Sequence, residues 1–319
     1  MSTRDPFSKN PRVVAELVRM YERSASRLRE IVLHPNGKTQ SAQEFNRGRA
    51  AQLLAQVNAE INALKHSAAA WIGPSLKSAF DQGIETANRQ AIAAGVIGPD
   101  LRSNITGAGG WGFNLVNRDA VRIIASVTYD DLKKAADAMQ GQSYRALTRM
   151  ADLGVTNADV NRIIATGVIE GSPRETIQTL RTELEKINGK RVTVTTRSGG
   201  TMTFKAGHYA RIVAITKTRE AVVTAKLEQF QRYGIDIVEI IGRDSENPCS
   251  KLLGKKFSIS GTSDAYPPFS SVSEGQPPYN LFHPQCSKSI APVTKRRLER
   301  ERQSDDSLAV ATQVSEVPT

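Results

Sequence analysis

Apolar residues recur at helical spacing through the first half of the chain. After Asn10-Pro11, positions Val13, Val14, Leu17, Val18, Tyr21, Leu28 and Ile31 fall on one stripe, and proline suits a first helical turn. Pro35-Asn36-Gly37 is a turn signal. Ser41-Ala42-Gln43-Glu44 is a capping box, in which the Ser and Glu side chains satisfy each other's exposed backbone N–H groups. The helix behind it carries Leu53, Leu54, Val57, Ile61 and Leu64, and a separate helix is expected over 74–94. Gly107, Gly109, Gly110 and Gly112 around Trp111 break the pattern. That stretch lacks the residue order of a phosphate loop, so a flexible connection or docking loop is expected. Helical spacing resumes over 117–139 and 143–153.

Beyond Gly154 the elements are shorter and sharper. Thr156 to Asp159 should cap a short helix ending at Gly167, and Ser172-Pro173-Arg174-Glu175 should start another through Leu180 and Leu184. Residues 191–205 switch to period two. Val192 and Val194 alternate with threonines, Ser198-Gly199-Gly200 turns the chain, and Met202 and Phe204 alternate again, which predicts a β-hairpin. A long helix is expected over 207–233, with Ile212, Ile215, Val222, Val223, Leu227 and Phe230 on its apolar face and Gly234 as its C-terminal stop. Short strands are expected at 236–241 and 257–259. The fold class is α+β, mainly α: an extended helical N-terminal region over 1–153, a compact α+β region over 154–294 that includes the hairpin, and a charged tail over 295–319.

Composition narrows the picture. The chain has 319 residues, and aromatic residues make up only 6% of them, so its cores are expected to be thin. Met1 to Asn10 is polar and has no apolar signal segment, so synthesis in a cytoplasm is expected. With two cysteines, Cys249 and Cys286, there is no disulfide scaffold. A net charge of +11 draws the chain toward polyanions. The run Lys295, Arg296, Arg297, Arg300 and Arg302 is the candidate for phosphate contact, with Glu299 and Glu301 interleaved.

Soft metal donors occur in one cluster. His283-Pro284-Gln285-Cys286 places two of them three residues apart on a turn, a spacing that suits tetrahedral zinc. Cys249 is the third candidate ligand, and Asp244, Glu246 or His208 are candidates for a fourth. Packed thiols or a disulfide would use the same cysteines. Cys249 with His283 could also be read as a thiol-hydrolase dyad, and Glu299-Arg300-Glu301 resembles the E-x-E of ADP-ribosyltransferases. Both enzyme readings lack the surrounding residues that their chemistry needs. Adjacent on a helix, Arg219 and Glu220 point about 100° apart. One of them is expected to pair with a loop backbone and fix the C-terminal subdomain.

Residues 163–292 carry an ordered set of marks: Gly167 to Pro173, the hairpin, and His208-Tyr209-Ala210 opening a helix with Thr216-Lys217-Thr218-Arg219-Glu220-Ala221. Tyr233 to Val238, Asp244, Cys249, Leu253-Gly254-Lys255, Phe257 to Gly261, Pro277-Pro278 and Phe282 to Cys286 follow in order. In this order and spacing the segment resembles phage minor capsid proteins (minor capsid protein 2) related to the Mu F-like head-morphogenesis family. The resemblance implies a structural virion component rather than an enzyme, made in the host cytoplasm and carried in the phage head. Its implied partners are portal or major capsid protein, docked through the helical region, and packaged DNA bound without sequence preference; no membrane is implied. The alternative is a head-packaged enzyme or toxin-like effector. Where the family often carries further ligands, this chain has Lys288 and Glu246, so the family's metal site is incomplete here.

Overall fold

The structure is a computed structural model that describes residues 11–34, 47–98, 115–166, 174–195, 199–273, 286–301 and 303. It is mainly helical with two small antiparallel sheets, the α+β class expected. In chain order the elements are α1 (Pro11–Leu33), α2 (Arg47–Ala93), α3 (Leu115–Leu153), α4 (Asn157–Thr166), α5 (Arg174–Asn188), β1 (Arg191–Thr195), β2 (Thr201–Lys205) and α6 (Ala206–Arg232). Then come β3 (Ile237–Ile241), a 3₁₀ turn (Pro248–Leu252), β4 (Lys256–Ser258), α7 (Ser270–Ser273) and β5 (Ser289–Pro292). The glycine-rich stretch 101–113 and the capping residues Ser41, Glu44, Ser172 and Pro173 lie outside the described residues.

Two expected breaks are absent. Helix α2 runs through Pro74, where a fresh start was expected, and α3 runs through Gly141. Proline frees a carbonyl one turn earlier. Here Ala70, Gly73 and Pro74 all lie on the exposed side, where water can satisfy that group. Trp71, Ile72 and Leu76 are buried on the other side, and their packing holds the helix continuous across the proline.

Two compact units form, and neither is one continuous stretch. The hairpin unit comprises Pro6–Ser75 and Ile123–Lys217; the sheet unit comprises Met1–Asp5, Leu76–Arg122 and Thr218–Thr319. The hairpin unit crosses the division at 153 expected from the sequence, and the sheet unit takes in segments on both sides of 153 and of 294. Among the described residues their borders fall inside α2, α3 and α6.

The hairpin unit buries Leu17, Tyr21, Leu28, Val57, Ile61, Leu64, Leu132, Leu147, Met150, Leu180 and Leu184. The Tyr21 hydroxyl is buried with its ring and donates to the Leu132 carbonyl at 2.7 Å, so this polar atom is not stranded. At the start of α4 the expected cap is present. Thr156 N–H donates to Asp159 Oδ2 at 2.9 Å, and Asp159 N–H donates to Thr156 Oγ1 at 3.2 Å. The hairpin has the register Arg191↔Lys205, Val192↔Phe204, Thr193↔Thr203, Val194↔Met202 and Thr195↔Thr201. Val192 and Val194 face inward, as the alternation predicted.

In the sheet unit, α6 ends as expected. Gly234 has φ +68°, and Ile235 N–H reaches back to the Phe230 carbonyl at 2.9 Å. The three-stranded sheet has the order β4-β3-β5, with Val238↔Phe257 and Ile240↔Ile290 among its pairs. Val223 and Phe230 of α6 cover the sheet's apolar residues together with Ala87 and Ala91 of α2. Phe257 and Phe269 meet edge to face, 6.4 Å between centroids. Among the described residues no helix is long and apolar enough to cross a membrane.

Candidate functional site

Cys249 and Cys286 come together inside the core of the sheet unit. β3 ends at Ile241, the chain turns at Gly242, and the 3₁₀ turn that opens with Pro248 carries Cys249 inward, fully buried. From the far side the chain enters β5 through Cys286, which is 4% exposed. The two sulfurs are 3.6 Å apart and are not joined in a disulfide. A disulfide would bring them to about 2.05 Å. Burial pushes the Cys249 thiol up from its ordinary value and the neighbouring Cys286 adds to the rise, with Lys288 and Arg219 opposing it. A thiol protonated in this way is a poor nucleophile, which weighs against the hydrolase reading.

Three cationic side chains are buried around the pair. Arg219, on the Thr216 to Ala221 stretch of α6, is 3% exposed and donates from Nη1 to the Cys286 carbonyl. This is the helix-to-loop contact expected for that stretch. Its Nε and Nη2 have no hydrogen-bond partner among the described residues. Seven residues along the same helix, on the same face, Lys226 is 2% exposed. Its ammonium donates to the Ile290 carbonyl and, at 3.1 Å, to Ser289 Oγ. Burial, and then the Arg219 charge, push Lys226 down to about 7. Lys288 is fully buried, and its Nζ donates to the Arg243 carbonyl at 2.5 Å and to Ser245 Oγ at 3.2 Å. Ser245 N–H in turn donates to Ser250 Oγ at 3.0 Å. Lys288 therefore ties residues 243–250 to the entry of β5.

Of the sequence's candidate ligands among the described residues, the structure joins only the two cysteines. Zinc–sulfur bonds of about 2.3 Å at the tetrahedral angle put two sulfurs about 3.8 Å apart, so the pair fits two corners of a zinc site. His283 lies outside the described residues. Asp244 and Glu246 are exposed, and Asp244 Oδ1 accepts from Ser245 N–H at 2.8 Å. His208 belongs to the hairpin unit, where it is exposed and stacks on Phe204. Among the described residues no three His, Cys, Asp or Glu side chains gather. None of the three candidates for a fourth ligand therefore joins the thiols. Residues 243–245 are held to the entry of β5 by the Lys288 ammonium.

The charged run behaves as a clamp. Residues 295–301 are helical, with Arg297 N–H donating to the Thr294 carbonyl at 3.0 Å. Arg297 pairs with Glu239 of β3 at 2.6 Å and with Glu301 at 3.0 Å, and Glu301 also accepts from Lys256 of β4. Arg297 and Glu301 thus pin the run to the sheet, which leaves Lys295, Arg296 and Arg300 as its exposed cations and places Arg302 outside the described residues. Glu299 is exposed, and the E-x-E pattern spends its second carboxylate on these ion pairs. Lys226 does not stand out in the sequence, where a lone lysine reads as solvent-facing, and Lys288 is marked there only as a departure from the family's ligand pattern. No protein-family model, curated protein or solved structure matches the chain.

Proposed function

We propose that this chain is a structural component of a bacteriophage head, of the minor capsid or head-morphogenesis type. It acts by binding, with portal or major capsid protein and packaged DNA as its partners, and is carried in the virion after synthesis in the host cytoplasm. One observation carries the reading beyond the quoted residues. Arg219, in the middle of the helix that bears the resemblance, spends its guanidinium on the Cys286 carbonyl at the resemblance's far end. Marks more than sixty residues apart therefore meet, and they meet to hold a loop against a helix. That use suits an architectural domain better than a reaction centre. Zinc held by Cys249, Cys286 and His283 belongs to the same reading as a proposal, with the thiol pair as its support.

Two measurements test it. Mass spectrometry of purified heads and procapsids should find the chain in both, and gel filtration with portal protein should give a stoichiometric ring complex. Absence from both particles overturns the assignment.

A further inference from the structure

The net charge is distributed unevenly between the two units. Pro6–Ser75 and Ile123–Lys217 hold 24 basic and 14 acidic residues, so ten of the eleven net positive charges belong to the hairpin unit. Within it, the stretch 190–205 has four basic residues, five threonines and no carboxylate. The register sorts them. Arg191, Thr193, Thr195, Thr201, Thr203 and Lys205 share one face of the ribbon. All of these are exposed except Thr193, which is half-buried. The Thr193 and Thr203 hydroxyls lie 2.9 Å apart, so the face presents a row of hydroxyls that ends in a pair of cations.

Two local rules are broken at that end. Arg191 and Lys205 stand directly opposite each other, and like charges so placed repel. Lys190 has φ +53°, a left-handed conformation that favours glycine or asparagine. Among the described residues none of the three cations makes an ion pair. Arg29 adds a fourth positive charge beside them through its 2.9 Å bond to Asn188. Repulsion and backbone strain kept at one spot are the marks of a site held for something other than stability.

We propose that this face of the β1–β2 hairpin, with Lys190, is a contact surface for the phosphate backbone of duplex DNA. Arginine, lysine and threonine are the donors that phosphate oxygens accept from. A face without aromatic rings offers no stacking platform for single-stranded bases. A face without apolar side chains offers nothing to insert between lipid headgroups. The inference rests on the head-component reading only in naming packaged DNA as the polyanion.

The test is fluorescence anisotropy of the full-length chain with a random-sequence duplex across a salt series. Each lost phosphate contact lowers the slope of log affinity against log salt by about 0.9. The triple variant K190Q/R191Q/K205Q is expected to lower it by about 2.7. The control R243Q/K251Q/K255Q, at exposed cations of the sheet unit, is expected to leave it unchanged. A second, gentler variant guards against misfolding: Lys190→Gly relieves the strained backbone, so it should melt no lower than the parent and still lose about 0.9 of slope. A wild-type slope in the triple variant overturns the proposal, as does a loss found only in the control. Binding to phosphatidylserine vesicles without binding to the duplex also overturns it. Head incorporation is read separately. Its failure in the parent chain sinks the proposed function and leaves the hairpin result standing, whereas an incorporated triple variant with a wild-type slope sinks only the hairpin.

Discussion

Gly242 lies so close to Lys288 that a Cβ on the glycine would come within 3.1 Å of the Lys288 Cα and 2.9 Å of the Ser287 carbonyl oxygen. Its φ of +148° is also one that side-chain-bearing residues rarely adopt. Both neighbours are backbone, so neither can swing aside. Gly242→Ala is expected to cost about 1–3 kcal/mol and to loosen the entry of β5. Urea denaturation with an unchanged midpoint would show that the close approach does not matter.

Lys226 predicts a pH dependence. Its folded value lies near 7, below the ordinary lysine value of 10.5 that the unfolded chain is expected to have. Between those two values the unfolded state binds more protons, so stability rises with pH through that window. Below it both states are charged and the full cost of burying the cation is present. The slope contributed by one such group is at most about 1.4 kcal/mol per pH unit. In Lys226→Met this component should vanish, leaving a flatter curve from pH 7 to 10. Denaturation at a series of pH values checks it, and parallel curves for the parent and the variant would sink the idea.

The buried thiol pair predicts slow chemistry. With Cys249 fully buried and Cys286 nearly so, a disulfide reagent should label neither in the native protein and both after unfolding. A chromogenic zinc chelator in the same cuvette separates the two states of the pair. Zinc release in step with labelling marks a metal site, and labelling alone marks packed thiols. Rapid labelling of the native protein would contradict the burial.

The cap of α4 predicts a modest acid sensitivity. The Thr156 backbone N–H holds the Asp159 carboxyl below its ordinary value, and the Thr156 hydroxyl adds to this. Stability from this group is present above the unfolded value near 3.8 and is lost as pH falls through the depressed folded value. Thr156→Ala should cost about 1 kcal/mol at neutral pH and reduce the part lost in acid. Thermal melts at pH 7 and pH 3 would reveal both effects.

Local signals were legible where local chemistry decides. Alternation and a Gly-Gly turn marked the hairpin over Arg191 to Lys205, and Gly234 marked the end of α6. The expected break at Pro74 failed because propensity concerns one helix at a time, whereas Trp71, Ile72 and Leu76 bury their side chains against other parts of the fold. β5 was missed because Ser289-Ile290-Ala291-Pro292 has one buried position and ends in proline, which an edge strand tolerates and a sequence pattern does not favour. At the thiol site, the cysteines announced themselves by their rarity. The burial of Lys226 and Lys288 was not legible, because only the tertiary fold shows that a lysine's stem and charge are both inside.

Among the described residues the borders between the two units fall at 75/76, 122/123 and 217/218, each within an unbroken helix. A boundary of that kind contains no linker to cut or stretch. An excised unit would need three segments to be trimmed in mid-helix, and the hairpin unit would have to be rejoined from two pieces. Length changes are constrained as well. One inserted residue turns the rest of a helix by about 100°, so an insertion near 75/76 would swing Leu76 and Phe80 off the stripe they share with Trp71 and Ile72. Natural variation in length should therefore collect in the connections between helices, and engineered tags or fusions belong there or at the ends of the chain.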